Sequence, residues 1–201
     1  MPGVREGWSG AAGAGGTARM VFDVRRLAGP TTLLRPWRAA DAPVLAGAWR
    51  DPAIRERLDV PEPADEAAAA RWISQRELAW AEGRSVDLAV TDPPSGEVIG
   101  EVGLSRLDPV RRAALIGWWI AEGWRGRRRA SEAVRLVLDW VLADGPLDAV
   151  MAEIDSENPA SAAVARRAGM RRVDASRRAA HGPGDAPRLV FARTRISEGS
   201  G

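Results

Sequence analysis

The chain of 201 residues contains no cysteine, no tyrosine and no lysine, and a single histidine. Each absence removes a class of chemistry. Without cysteine there is no disulfide framework, no thiolate metal site and no cysteine nucleophile. One histidine leaves a histidine-built zinc site short of ligands, so no metal is expected. A Ser-His-Asp triad would have to use His181, and no nucleophile-elbow pattern accompanies it. The lack of tyrosine takes away a common general acid. No stretch approaches the roughly 18 uninterrupted apolar residues of a membrane span, so no membrane partner is expected.

What is present fits one domain with one good core. Apolar residues make up 45% of the chain, and nine of its residues are tryptophan. The sequence pI of 10.6 invites a nucleic-acid reading, yet the net charge is only +2. All basic side chains are arginine, so almost nothing loses a proton until arginine does, and a small positive excess gives a very high pI. Nucleic acid is therefore not expected as a partner; only local arginine clusters would attract anions. Residues 1–30 read as a Gly/Ala-rich disordered leader, 31–196 as the folded domain and 197–201 as a disordered tail. The leader lacks the apolar run of a signal peptide, which points to the cytoplasm, and Met20 is a second candidate start.

Residues 32–35 read as a short strand closed by Pro36. Asp41 is placed to cap a helix carrying Val44, Leu45, Ala48 and Trp49, which Asp51-Pro52 breaks. Asp65 caps a second helix that Gly83 ends. The period then changes to two: strands are expected over 86–90, 98–107 and 113–120, the last apolar on both faces as in a covered central strand. Val134, Val137, Leu138, Val141 and Leu142 form one helical stripe, ended by Gly145-Pro146. A strand over 149–154 follows. Asn158-Pro159 then starts a short helix that Gly169 stops, and strands near 171–178 and 188–194 flank a turn at His181-Gly182-Pro183-Gly184-Asp185. The order is strand, two helices, three strands, helix, strand, helix, two strands: a mixed α/β class.

The segment 116–140 carries the most specific chemistry. Trp124-Arg125-Gly126-Arg127-Arg128-Arg129-Ala130 lies between a buried strand and a helix start. Unpaired N–H groups and the positive end of the dipole make such a junction an anion site. Here the chain resembles the GCN5-related N-acetyltransferases (GNAT), above all their ribosomal-protein N-terminal acetyltransferase branch. The resemblance rests on Leu33-Leu34-Arg35-Pro36 with Asp41, Val98-Ile99-Gly100, Ile116-Gly117-Trp118-Trp119-Ile120, Trp124-Arg125-Gly126 with Ala130-Ser131-Glu132-Ala133, Asn158-Pro159-Ala160-Ser161 and Ala168-Gly169-Met170, in family order. It implies a splayed, mostly antiparallel sheet of about seven strands flanked by about four helices, and acetyl-CoA as co-substrate.

It also implies roles. The pyrophosphate motif maps to Arg125, Arg128 and Ala130, with Gly126, Arg127, Arg129 and Ser131 around them. Arg128 stands where the family has glycine, and its N–H keeps its place if φ stays negative. Backbone N–H groups around Trp119, Ile120 and Ala121 would hold the thioester carbonyl. Ser161 matches the branch's proton source for the departing thiolate, or is only a first-turn helix residue. Asn158 caps its helix and is placed to touch the pantetheine arm. For the base, Glu101, Glu122, Glu153 and His181 stand open, as does a water relay. Trp37, after a strand and proline, is placed to line the acceptor cleft. The expected reaction is acetyl transfer from acetyl-CoA to an amine of a protein N-terminus or a small molecule. The alternatives are a non-catalytic acyl-CoA sensor and an RNA-binding module; a homodimer follows only from family analogy.

Overall fold

In the computed structural model, which describes residues 20–23, 26–173 and 187–195, the period-two segments pair into one eight-stranded sheet. Its strands are β1 (Leu27–Ala28), β2 (Leu33–Pro36), β3 (Val86–Thr91), β4 (Val98–Asp108), β5 (Ala113–Ile120), β6 (Ala149–Asp155), β7 (Arg171–Val173) and β8 (Arg188–Thr194). The spatial order is β1-β2-β3-β4-β5-β6-β8-β7. The described helices are α1 (Ala42–Ala48), α2 (Pro52–Arg55), α3 (Glu66–Ala81), α4 (Arg129–Ala143) and α5 (Pro159–Arg167). None is long and apolar enough to cross a membrane.

Every described neighbour pair is antiparallel except β5–β6. Those two meet only over Ala113–Leu115 and Ala149–Met151, and then part. Beyond that point β5 stays on β4 as far as Ile120, and β6 stays on β8 as far as Asp155. A wedge-shaped gap opens between the carboxyl ends of two parallel strands. Both chains leave that end into helices, β5 into α4 and β6 into α5. Such a place gathers helix N-termini, and open α/β sheets bind ligands there.

Alternation along β5 divides the core. Ala114, Ile116 and Ile120 pack with Val134, Val137, Leu138 and Val141 of α4. Trp119 packs on the other face with Leu45, Trp49, Ala69 and Ile73 of α1 and α3. This is the two-sided burial expected of a central strand.

Several local expectations change. Asp41 is no side-chain cap of α1; it closes a 3-10 turn over Ala39–Asp41. Its carboxylate takes a bidentate grip from Arg35 (2.7 and 2.8 Å) and the Arg38 N–H (2.8 Å). The fixed guanidinium fork outcompetes a single cap bond. Asp51 does act as a cap, for α2, accepting from Ala53 N at 2.9 Å. Asp65 accepts from Ala68 N and Asn158 from Ser161 N, as expected. Residues ahead of Thr31 join the core: Met20 and Phe22 are buried, Trp80 Nε1 donates to Phe22 O at 3.0 Å, and β1 pairs with β2. No periodicity marks so short a strand. The strand expected over 171–178 is described only as Arg171–Val173, and His181 with its turn lies outside the described residues.

Candidate active site

The loop after β5 is shaped to receive an anion. Gly126 has φ +75°, and Arg128 has φ +60°. The negative φ expected of Arg128 is not found; the arginine occupies the left-handed conformation that a glycine would hold. Its backbone carbonyl accepts the first bond of α4, from Glu132 N at 3.1 Å. Left-handed residues at 126 and 128 flank Arg127, whose φ is negative, and this curl gathers successive N–H groups. Among the described residues, no acceptor takes the N–H groups of Gly126, Arg127 or Arg128, and the first turn of α4 leaves those of Arg129, Ala130 and Ser131 free as well. Ser131 Oγ is buried without a partner in the same turn. A row of six unpaired donors with an orphan hydroxyl suits a pyrophosphate.

The four arginines do not share that task. Arg129 is ion-paired to Asp92 at 2.8 Å, mostly out of solvent. Arg125 turns away from the loop: its Nε donates to Ile120 O at 2.8 Å and its Nη2 pairs with Asp51. Arg127 lies over the Trp124 ring at 5.2 Å, and Arg128 is exposed. Half of the loop's positive charge is thus neutralised by protein carboxylates, and Arg127 and Arg128 remain to face a ligand.

The β4–β5 ladder decides which N–H groups reach the gap. Ala121 N donates to Ile99 O at 2.9 Å, so it is committed to β4. Trp119, two residues earlier and opposite Glu101, aims the same way. Ile120 aims oppositely, into the gap, and so does Trp118. Of the three residues expected around the carbonyl, Ile120 alone presents its N–H to the open side. Gly100 makes this end of the sheet tight: a Cβ there would lie 2.3 Å from Trp119 O.

On the α1–α3 face, Glu101 sits beside Trp119 on the strand next to the gap. It is half-buried, and protein rings its carboxyl. Burial first, and the charge of Asp87 second, push its pKa up to about 8, against the pull of the Trp119 indole, Arg76 and the Trp37 indole. Trp37 stands edge-on to Trp72 at 5.9 Å, and Trp72 edge-on to Trp49 at 6.3 Å. The Trp37 Nε1 is buried and makes no well-aligned hydrogen bond, only a weak approach to Glu101. Among the candidate bases, Glu122 is exposed at the loop, and Glu153 lies on β6 facing Arg188 at 3.8 Å. Ser161 is half-buried at the third position of α5, its N–H held by Asn158 and its hydroxyl making no described hydrogen bond.

Sequence reasoning missed Asp87 and Arg76, which no motif marks. The alternation of β3 puts Asp87 on the face of Glu101, and that signal was readable.

Residues 32–171 match the family described as "Acetyltransferase (GNAT) domain". This chain belongs to the GNAT acetyltransferases. A GNAT relative, the "Uncharacterized N-acetyltransferase p20" of Bacillus licheniformis, is 27% identical over 128 residues, 64% of this chain and 72% of that protein. The ribosomal-protein-S5-alanine acetyltransferase of Vibrio fischeri superposes with a TM-score of 0.74 at 16% identity, covering 87% of this chain and 98% of that one. RimJ of Mycobacterium smegmatis, in complex with CoA-disulfide, superposes with a TM-score of 0.70 at 23% identity, covering 85% and 84%. The GNAT membership makes the protein an acetyltransferase, and the mostly antiparallel sheet with its helices matches the fold of those structures.

Proposed function

We propose that the protein moves the acetyl group of acetyl-CoA onto a primary amine, with the donor held on the α4 face of the gap and the amine entering from the α1–α3 face. The carrying observation is that the free donor row of residues 126–131 and the Glu101 carboxyl flank the same open end of β5. When bound, acetyl-CoA supplies an activated thioester carbonyl and a thiolate leaving group. Gly126 to Ser131 hold its phosphates through backbone N–H groups, and Arg127 and Arg128 add charge. Ile120 N–H polarises the carbonyl, and Asn158 stands by the pantetheine arm.

Glu101 is the base. An alkylammonium ion must lose a proton before it can attack, and a carboxylate with a pKa near neutrality is matched to that task. Ser161, at the start of α5 and free at its hydroxyl, donates to the thiolate. Trp37 lines the acceptor side. The acceptor is a protein N-terminus or a small amine; the name of the Vibrio fischeri relative makes alanine-starting peptides the first acceptors to try.

Calorimetric titration with acetyl-CoA, then thiol release against a panel of such peptides and small amines, tests this reading. Binding with amine-dependent thiol release is expected. No binding at millimolar acetyl-CoA, or binding without release across the panel, would overturn it.

A further inference from the structure

Asp87 belongs to no motif, and the mechanism above leaves it idle. Its position is nonetheless built with care. It faces Gly103 across the β3–β4 ladder, and a Cβ on Gly103 would lie 2.7 Å from its Oδ1. Its carboxyl therefore lies flat over β4, in space that only a glycine leaves. Ser85, itself buried, donates from Oγ to Asp87 Oδ2 at 2.7 Å and holds the group there. Gly103 is two residues from Glu101 on β4, and Asp87 lies opposite it on β3, so the two carboxylates share one face of the sheet on neighbouring strands.

The surroundings are those of a receiving site. Arg76 of α3 is the cation that acts on both carboxylates, and its guanidinium lies over Trp72 at 5.4 Å. Its Nε is buried without a partner, and the buried Nε1 of Trp37 makes only a weak, poorly aligned approach to Glu101. The floor beside them is open: a Cβ on Gly117, opposite Gly103 on β5, would meet nothing within 4 Å. Once Glu101 ionises, two carboxylates against one guanidinium leave a negative excess in an aromatic cleft. Burial raises the Asp87 pKa against the Ser85 hydroxyl and Arg76, and the charge of Asp87 helps to raise that of Glu101. An alkylammonium guest relieves the repulsion that both groups feel.

We propose that Asp87 and Glu101 act as a pair that binds the incoming amine as its ammonium ion, with Asp87 positioning the cation and Glu101 receiving its proton. This rests on the acceptor face assigned above. In the transfer an N–H bond of the ammonium breaks, nitrogen keeps the electron pair, and an O–H bond forms on Glu101. Asp87 stays ionised, and the proton leaves from Glu101 to water after the product departs. Among the described residues, the charged and titratable groups acting on the pair are Arg76 from α3 and the two carboxylates themselves, and β5 and the β2–α1 connection add the indoles of Trp119 and Trp37.

The test is a carboxylate 13C NMR titration of the full chain without acetyl-CoA, with Glu101 assigned by its loss in Glu101→Gln. The Glu101 midpoint should lie at about 8. Asp87→Asn, which keeps a partner for Ser85, should lower it by about one pH unit or more. Gly103→Ala keeps every charge but pushes the Asp87 carboxyl aside, and should lower it by a smaller amount. Benzylammonium chloride at pH 7 should bind at least about fivefold more weakly to Asp87→Asn than to the parent. A midpoint unmoved in both variants, or equal benzylammonium binding, would overturn the proposal. If Asp87→Asn does not fold, Gly103→Ala decides alone. The readout needs no turnover, so a failed thiol-release assay and a failed pair are separate results.

Discussion

The two sides of the gap are made of different materials. The α4 side offers backbone: six N–H groups in a curl that a helix start and two left-handed residues provide. The α1–α3 side offers side chains: Glu101, Asp87, Arg76 and the indoles of Trp37, Trp72 and Trp119. A backbone site survives substitution of most residues in it, and the left-handed Arg128 holds the curl as a glycine would. A side-chain site changes with each residue. The donor is accordingly what the family order announces, and the acceptor is what this one chain decides.

Glu101→Gln bears hardest on that division. We expect kcat/KM to fall by about 10²–10⁴ with acetyl-CoA binding intact, because a general base is lost and the donor row is not. In the parent, activity should rise with pH through about 8 as Glu101 ionises, and the variant should lose that limb. Stability gives a second readout. The folded pKa stands above the ordinary 4.5, so the folded state holds this proton more tightly than the unfolded chain. The stability from it is full below pH 4.5 and is lost as pH rises through about 8. The uncharged variant should therefore melt higher than the parent at pH 9, by a margin that shrinks toward pH 5. A flat pH profile in the parent would sink the assignment.

Ser161→Ala comes next, with turnover expected to drop by roughly 10²-fold and acceptor KM to hold. Turnover unchanged at every pH would return Ser161 to the role of a first-turn helix residue. Gly117→Val is smaller and aims at the other side of the gap. The space above Gly117 is open, so the fold should tolerate the side chain, while acceptor KM rises by about tenfold and acetyl-CoA KM stays put. A rise in both would erase the two-sided division. Smallest is Arg128→Gly, which relieves a left-handed arginine worth about 1 kcal/mol, or roughly 2–4 °C in a melt. Calorimetry should find acetyl-CoA affinity within about threefold of the parent if backbone donors dominate.

Much of the architecture was legible because periodicity and turn chemistry agree with the tertiary result. The limits of β5, the stripe of α4, and the caps by Asp65 and Asn158 all follow from local pattern. Local pattern failed where a distant partner competed. Asp41 had the look of a cap, but Arg35 takes its carboxylate. Phe22 precedes any periodic segment, and its burial comes from distant partners such as Trp80 and Trp140. The loop arginines looked like phosphate ligands as a group, and Asp51 and Asp92, far off in sequence, claim two of them. The base was left open among several carboxylates because the distinction is one of burial and neighbours, which spacing does not carry.

Arg125 joins three parts of the molecule through one guanidinium: the loop before α4 that bears it, the Ile120 carbonyl at the edge of the gap, and Asp51 at the start of α2. The loop therefore cannot shift without carrying the end of α2 along or giving up that ion pair. If the proposed donor and acceptor sites hold, filling one would be linked to filling the other through this contact, and such linkage is reciprocal: whatever a donor does to the grip on an amine, the amine does in equal measure to the grip on the donor.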